Sequence, residues 1–197
     1  DGRTFVGASP EILVRHRGSE ILSYALAGTA PKDGPNAWTE EQLLTNTKNI
    51  IEHNIVRDRI VNTMKQITPH VTVGETGIME LSHLYHLRTI ITAKDSTKSL
   101  VEWAKLLHPT PALGGEPREK ALALLQEYES HERGMYAAPF GFMKDMGDGI
   151  VVVAIRSALI MDDVLYAYAG CGVVADSDAD EEYAETNNKM RTILDAL

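Results

Sequence analysis

Two apolar runs joined by a short turn constrain the fold of this chain most strongly. The runs IVVVAIRSALIM at 150–161 and VLYAYAGCGVV at 164–174 are rich in β-branched and aromatic residues, which favour strands. Asp162 and Asp163 lie between them, and aspartate is a typical turn residue. We therefore expect two long antiparallel strands here, within an antiparallel sheet.

The rest of the sequence places strands and helices in blocks. Turn signals and alternation predict short strands at 3–7, 11–15, 20–26, 71–73 and 84–92. Apolar residues at helical spacing predict one long helix from Thr39 to Met64, and further helices at 98–107, 117–128 and 179–196. Blocks of like elements, rather than strict alternation, indicate an α+β fold with a largely antiparallel sheet. One domain covering 1–197 is expected.

Composition excludes several classes of partner. The formal net charge of −9 argues against a nucleic-acid surface, because binding phosphates requires a basic stripe. No stretch is apolar and long enough to span a bilayer, so no membrane partner is expected. The single cysteine, Cys171, cannot form an internal disulfide, which favours a reducing cytoplasmic setting. The opening DGRTFVG reads as a strand already under way, so an upstream part of a larger protein is expected.

Acidic residues on two predicted helices are candidate metal ligands. Glu182, Glu185 and Lys189 lie on one face of the last helix, and Glu52 lies beside an apolar stripe of the long helix. A solvated face with an i,i+4 ion pair, or a glutamate at the edge of a core, would explain the same pattern. If a metal binds, oxygen ligands without cysteine or closely spaced histidines favour magnesium over zinc.

Other residues are candidates for binding an anionic ligand. Arg156 interrupts an apolar run, so it is expected to be paired, to face a cavity, or to lie at a sheet edge. The glycines of GCG at 170–172 allow a ligand to approach the backbone closely. Glu11 follows a proline at the start of a strand, where a surface glutamate is the default reading. His83 and His86 would face opposite sides of a strand, so a paired zinc site is not expected.

Eight motifs in order resemble one family through nearly the whole chain. They are SPEILV, LAGTAPK, KNIIEHNIV, HPTPALGG, RGMYAAPFGF, VVVAIRSALI, AGCGVVADSD and EEYAETNNK. Together they resemble the chorismate-utilising enzymes and, within them, the isochorismate synthases. The resemblance implies the C-terminal half of the anthranilate-synthase-type fold, a sandwich of antiparallel sheets and helices around a ligand pocket.

The resemblance also implies a reaction and a set of roles. Family members of this kind add water at C2 of chorismate and lose the C4 hydroxyl, giving isochorismate, with magnesium as cofactor. By resemblance, Glu52 and Glu185 bind the metal directly and Glu182 binds it through water, while Glu11 is the general acid. The expected substrate-binding residues are Gly28, Thr29, His86, Ala112, Leu113, Tyr136, Ile155, Arg156, Gly170, Gly172 and Lys189.

The sequence departs from the family pattern at several points. The family's general base is a lysine upstream of this segment, so the chain alone is expected to be at best feebly active. Asn49 stands where many relatives carry an acid, which is expected to weaken metal binding modestly, and Phe142 replaces a frequent tryptophan. Ala112 stands where aminating or lyase relatives commonly carry threonine, which favours water chemistry.

Several alternatives stay open at this point. The product can feed menaquinone or a catecholate siderophore. Salicylate synthase, anthranilate synthase and a non-catalytic chorismate-binding module are the competing readings. A purely structural role is disfavoured, because it gives the carboxylates, Arg156 and the glycine-rich strand no shared cause.

Overall fold

The computed structural model describes residues 2–196, which form nine strands and six helices. The strands are β1 (Arg3–Gly7), β2 (Ile12–Arg17), β3 (Glu20–Pro31), β4 (Val71–Glu80), β5 (Leu84–Lys94), β6 (Pro139–Met143), β7 (Gly149–Val153), β8 (Ser157–Met161) and β9 (Val164–Tyr168). The helices are α1 (Glu40–Thr45), α2 (Thr47–Lys65), α3 (Leu100–Leu107), α4 (Pro111–Gly114), α5 (Arg118–Tyr128) and α6 (Ala179–Leu194).

The strands form two antiparallel sheets. The larger has the order β4-β5-β3-β2-β7-β6, and the smaller has the order β1-β8-β9. Every strand pairing in the described residues is antiparallel. The expected α+β fold with antiparallel sheets is therefore confirmed.

The main core lies between α2, α3 and the six-stranded sheet. Val56 and Ile60 of α2, Ile91 of β5 and Trp103 of α3 belong to one buried cluster. Burial of such side chains contributes about 1.5–3 kcal/mol each. The indole N–H of Trp103 donates to Asp95 Oδ2 at 2.9 Å, so its one polar atom is satisfied. This packing fixes α2 against the sheet, with its N-terminal turns beside β3.

The long helix predicted from Thr39 to Met64 is two helices. Asn46 has an extended backbone, with φ −74° and ψ 117°, and ends α1. Its side chain caps α2 by accepting a hydrogen bond from the Asn49 N–H at 3.0 Å. The apolar spacing continues across this break, which is why periodicity alone joined the two helices.

The predicted strands at 150–161 and 164–174 are also wrong in extent. The first is divided at 154–156 into β7 and β8, which belong to different sheets. The second ends at Tyr168, and 169–178 has no regular structure. Arg156 and the glycines of GCG mark the two breaks, but the apolar residues on either side of each break favoured one continuous strand. The 71–73 strand extends to Glu80, and the short strand β6 was not predicted.

Within residues 2–196, no helix combines the length and the apolar composition that crossing a bilayer requires.

Candidate active site

Glu11 is a buried carboxyl group just before β2. It is 2% exposed, which excludes the surface reading, and the Thr110 hydroxyl donates to its Oε1 at 3.4 Å. Burial raises the pKa of Glu11 to about 7, although Thr110 and the positive charges of Lys189 and Arg156 oppose the shift. A carboxyl group of this kind holds its proton near neutral pH and can donate it.

Arg156 lies at the crossing from β7 to β8, in the left-handed region with φ 51°. It is 4% exposed, so the sheet-edge reading is wrong. Its Nη2 donates to His86 Nε2 at 2.6 Å, and its Nη1 lies 3.4 Å from Thr192 Oγ1 of α6. Burial lowers the pKa of Arg156 to about 10, which still leaves it charged at neutral pH. The strained backbone therefore presents a fixed cation inside the fold.

His86 of β5 lies behind Arg156. A guanidinium can only donate, so Nε2 accepts from Arg156, and Nδ1 donates to Thr29 Oγ1 at 3.0 Å. Burial and the charge of Arg156 lower the pKa of His86 well below its usual value. The predicted pocket histidine is thus a neutral ring with both nitrogens bonded within the protein.

Gly28 and Thr29 lie at an irregularity in β3, where its register against β5 shifts. Gly28 has φ +79°, and a β-carbon there would lie 3.0 Å from the Asn49 carbonyl oxygen. The Thr29 N–H donates to Asn49 Oδ1 at 3.0 Å, while Asn49 Nδ2 donates to Asn46 Oδ1 at 2.9 Å. Asn49 therefore joins the start of α2 to this part of β3.

The three candidate metal ligands lie on α2 and α6, near enough to one lysine, Lys48, for all three charges to act on it. Glu52 has its pKa raised to about 7, first by burial and then by the charge of Glu185. Glu182 is 6% exposed, so it does not lie on a solvated face. Its Oε1 accepts from Lys48 and from Ser177 Oγ. Glu185 accepts from Lys189 at 2.6 Å, which is the i,i+4 pair that the sequence left open.

These side chains fit a divalent cation in charge and chemistry. Within the part of the chain that the structure describes, no three His, Cys, Asp or Glu side chains already stand at metal-coordinating spacing. Two of the three glutamates are instead held by lysines. Glu182 Oε2, however, is buried without a hydrogen-bond partner, and Glu52 is a half-buried carboxyl group on which the charge of Glu185 acts. The magnesium assignment stays a prediction that this oxygen-donor set supports.

The glycine-rich segment 169–174 lies over the glutamates. Lys189 Nζ donates to the Gly170 carbonyl oxygen at 3.0 Å. A β-carbon at Gly172 would overlap the carboxylate of Glu52, and one at Gly170 would lie 3.0 Å from the Tyr136 hydroxyl oxygen. The Tyr136 ring stacks on Tyr168 with centroids 5.3 Å apart. This segment therefore brings a phenol, a lysine and the glutamates together.

The short helix α4 lies next to Glu11. Thr110, which bonds Glu11, precedes it, and the predicted wall residues Ala112 and Leu113 are half-buried against the main core. Ile155 is half-buried against the same core, one residue before Arg156. The predicted site residues are thus distributed around one region rather than across the surface.

Some contributors were missed by sequence reasoning. They are Lys48, Thr110 and Thr192, which bond Glu182, Glu11 and Arg156. Lys48 lies one helical turn before Glu52 in the motif KNIIEHNIV, so this spacing could have placed Lys48 beside Glu52 from the sequence alone. No sequence signal pointed to Thr110 or Thr192, because their partners are distant in sequence. His83 bonds Asp33 at 2.8 Å rather than joining His86.

Two surface grooves lie away from this region. One, of about 550 Å³, includes Arg59 and Arg118, and the other, of about 470 Å³, includes Phe142 and Leu100. No site residue lines either groove, and the convergence of charged groups identifies the candidate site better than groove size does.

Comparisons with known proteins agree with this geometry. Isochorismate synthase MenF of Bacillus subtilis (strain 168) is 38% identical over 203 residues, which cover 100% of this chain and 43% of that protein. The structure of MenF, the menaquinone-specific isochorismate synthase from Escherichia coli, matches with a TM-score of 0.85 and 31% identity, covering 98% of this chain and 46% of that chain. The structure of anthranilate synthase component I from Streptococcus pneumoniae TIGR4 matches with a TM-score of 0.81 and 27% identity. The match covers 96% of this chain and 43% of that chain.

The expected anthranilate-synthase-type fold is thereby confirmed, and the chain spans less than half the length of these three relatives. The family model for chorismate binding enzymes matches residues 1–197. The chain belongs to the family of chorismate binding enzymes, as its isochorismate synthase relatives also indicate.

Proposed function

We propose that this chain is the chorismate-binding part of an isochorismate synthase, an isomerase that converts chorismate to isochorismate. The observation that carries the proposal is Glu11, a buried carboxyl group whose pKa burial raises to about 7, close enough to Lys189 and Arg156 for their positive charges to act on it. Support also comes from the two isochorismate synthases that match over nearly the whole chain.

In the proposed reaction, Glu11 protonates the C4 hydroxyl of chorismate as that group leaves. A raised pKa suits this role, because the donor must hold its proton at the working pH and release it in the transition state. Thr110 orients the carboxyl group through its hydrogen bond. Water adds at C2, and the resemblance implies an upstream lysine as its base, so no lysine of this chain is given that role.

The two carboxylates of chorismate require positive or hydrogen-bonding groups. Arg156, fixed by His86, and the side chains of Lys189 and Tyr136 are proposed to bind them. The backbone at Gly28, Thr29, Gly170 and Gly172 is proposed to line the pocket, with Ala112, Leu113 and Ile155 as its apolar wall.

A magnesium ion is proposed to lie between α2 and α6. Glu52 and Glu185 would hold it directly, and Glu182 would do so through water. When bound, the ion supplies positive charge that neutralises the ring carboxylate of the substrate, which a chain of net charge −9 otherwise opposes.

Water chemistry is favoured over amination or pyruvate loss by Ala112, which lacks the hydroxyl expected of aminating or lyase relatives. Menaquinone synthesis in the cytoplasm is the proposed setting, since one matching structure is menaquinone-specific. A siderophore pathway is the alternative.

The experiment is product analysis. The complete protein that carries this sequence is incubated with chorismate and Mg²⁺, and products are separated by chromatography. Isochorismate without pyruvate is the expected result. Pyruvate with salicylate, or anthranilate formed when ammonia is supplied, would replace this proposal with the corresponding relative's reaction. Binding of chorismate without turnover would leave a binding module.

A further inference from the structure

Lys48 lies among all three candidate metal ligands. It is on α2, one turn before Glu52, and its ammonium group donates to Glu182 Oε1 of α6. Its side chain is 18% exposed and that of Glu182 is 7% exposed, so the pair is largely shielded from water. Burial lowers the pKa of Lys48, but Glu182, Glu185 and Glu52 together raise it above its usual value.

The contacts of Glu182 leave one of its carboxylate oxygens unsatisfied. Lys48 and Ser177 both bond Oε1, whereas Oε2 is buried and has no hydrogen-bond partner. Burial raises the pKa of Glu182, but Lys48, Ser177 and the nearby Cys171 thiol together lower it below its usual value. Such an orphaned carboxylate oxygen is costly unless something binds it. Lys48 therefore satisfies only part of the negative charge that α2 and α6 bring together.

We propose that Lys48 is an internal counter-ion that competes with the divalent cation for the glutamates of α2 and α6. This inference rests on the proposed magnesium site. Without the metal, the lysine ammonium stabilises carboxylates that would otherwise repel each other within a shielded region. When the cation binds close to the Lys48 ammonium, repulsion between the two positive charges drives Lys48 away from Glu182. Lys48 thereby weakens metal affinity.

Cation titration of the protein without substrate tests this directly. Mg²⁺ binding is measured by calorimetry for the wild type, Lys48→Met, Lys48→Arg and Lys144→Met. Lys48→Met should bind about tenfold more tightly, the equivalent of roughly 1.4 kcal/mol. Lys48→Arg keeps the charge and should stay near wild type. Lys144 lies in the exposed β6–β7 turn, so Lys144→Met controls for the change in net charge.

Equal or weaker binding by Lys48→Met would overturn the inference, because it would make Lys48 a spectator or a support for the metal site. Glu185→Gln separates this failure from that of the proposed function. If the wild type binds Mg²⁺ and Glu185→Gln does not, the metal site stands even when the Lys48 prediction fails. If neither the wild type nor Lys48→Met binds, both proposals fall.

A second measurement needs no variant. The wild type is treated with a limiting amine-acetylating reagent, with and without Mg²⁺, and acetylation at each lysine is read by mass spectrometry. Acetylation of Lys48 should rise several-fold with Mg²⁺, while that of Lys144 stays constant. Unchanged or reduced acetylation of Lys48 at saturating Mg²⁺ would contradict its displacement.

Discussion

At the scale of single residues, Glu11 shows how burial raises the pKa of an ordinary carboxyl group. No neighbouring acid is needed to raise its pKa to about 7, because loss of hydration is the largest cause. The same burial makes the ionised form of Glu11 unfavourable to the fold, so stability and proton donation are linked.

The first prediction concerns pH and Glu11. Between pH 4.5 and about 7 the folded protein keeps a proton that the unfolded chain loses, so ionisation of Glu11 destabilises the fold as pH rises through this window. Across this window the free energy of unfolding falls by about 3 kcal/mol because of Glu11. We expect urea unfolding to show that the free energy of unfolding falls less between pH 5 and pH 8 in Glu11→Gln than in the wild type. Equal falls in the two proteins would contradict the burial argument.

The second prediction concerns Gly172. A β-carbon there overlaps the end of the Glu52 side chain, which can move, so Gly172→Ala should barely change the melting temperature. Displacing Glu52 should nevertheless weaken Mg²⁺ binding about tenfold, a typical cost of disturbing a metal's surroundings. Calorimetry measures this. Gly77→Ala is the matched control, because a β-carbon added at that position would meet no other atom within 4 Å. Wild-type affinity in Gly172→Ala would separate Glu52 from the metal.

At the scale of elements, α2 is the helix that orders the site. His53, one residue after Glu52, is 1% exposed and bonds two strands at once. Its Nδ1 donates to the Ala27 carbonyl oxygen at 3.2 Å, and its Nε2 accepts from Thr89 Oγ1 at 2.7 Å. Burial lowers the pKa of His53 to about 4, so the ring is neutral at physiological pH. These bonds fix the rotation of α2 and thus the direction of Glu52.

The third prediction follows from that anchor. Thr89→Val leaves His53 Nε2 and Thr76 Oγ1 without their shared partner, which should lower the free energy of unfolding by about 1–3 kcal/mol. Chemical denaturation at neutral pH measures this change. Thr72→Val, on an exposed position of β4, should change it by less than about 0.5 kcal/mol. Similar losses in both variants would show that the His53 bond does not hold α2.

How far the sequence predicts this molecule depends on the kind of element. Hydrophobic periodicity predicted α3, α5 and α6 and most strands, because most of them turn one regular apolar face inward; that of α5 is only half-buried. It failed at Asn46, where a side chain caps a new helix within a continuing apolar pattern. It failed again at 154–156, where Arg156 alone interrupts the apolar run, because the change of sheet at that point is set by tertiary packing.

The residues of the candidate site also differ in how far the sequence predicts them. The glutamates of α2 and α6 were predicted together through family motifs, since spacing alone left an ion pair or a solvated face as alternatives. Local spacing could have included Lys48. Nothing local indicates that Thr110 reaches Glu11 or that Thr192 reaches Arg156, because those contacts depend on how α4 and α6 meet the sheets.

At the scale of the whole molecule, the two sheets and α2 bring distant parts of one chain to a common region. Glu52 and Glu185 are far apart in sequence, yet the charge of Glu185 adds to burial, the larger cause, in raising the pKa of Glu52. The central claim is that this convergence forms a divalent-cation site in an isochorismate synthase.

The most direct measurement is a crystal of the complete protein grown with Mn²⁺, a substitute for Mg²⁺ that scatters anomalously. The account predicts an anomalous peak between the carboxylates of Glu52 and Glu185, with Glu182 one water molecule further away. A peak elsewhere, or none while both carboxylates keep their lysine partners at saturating Mn²⁺, would contradict it.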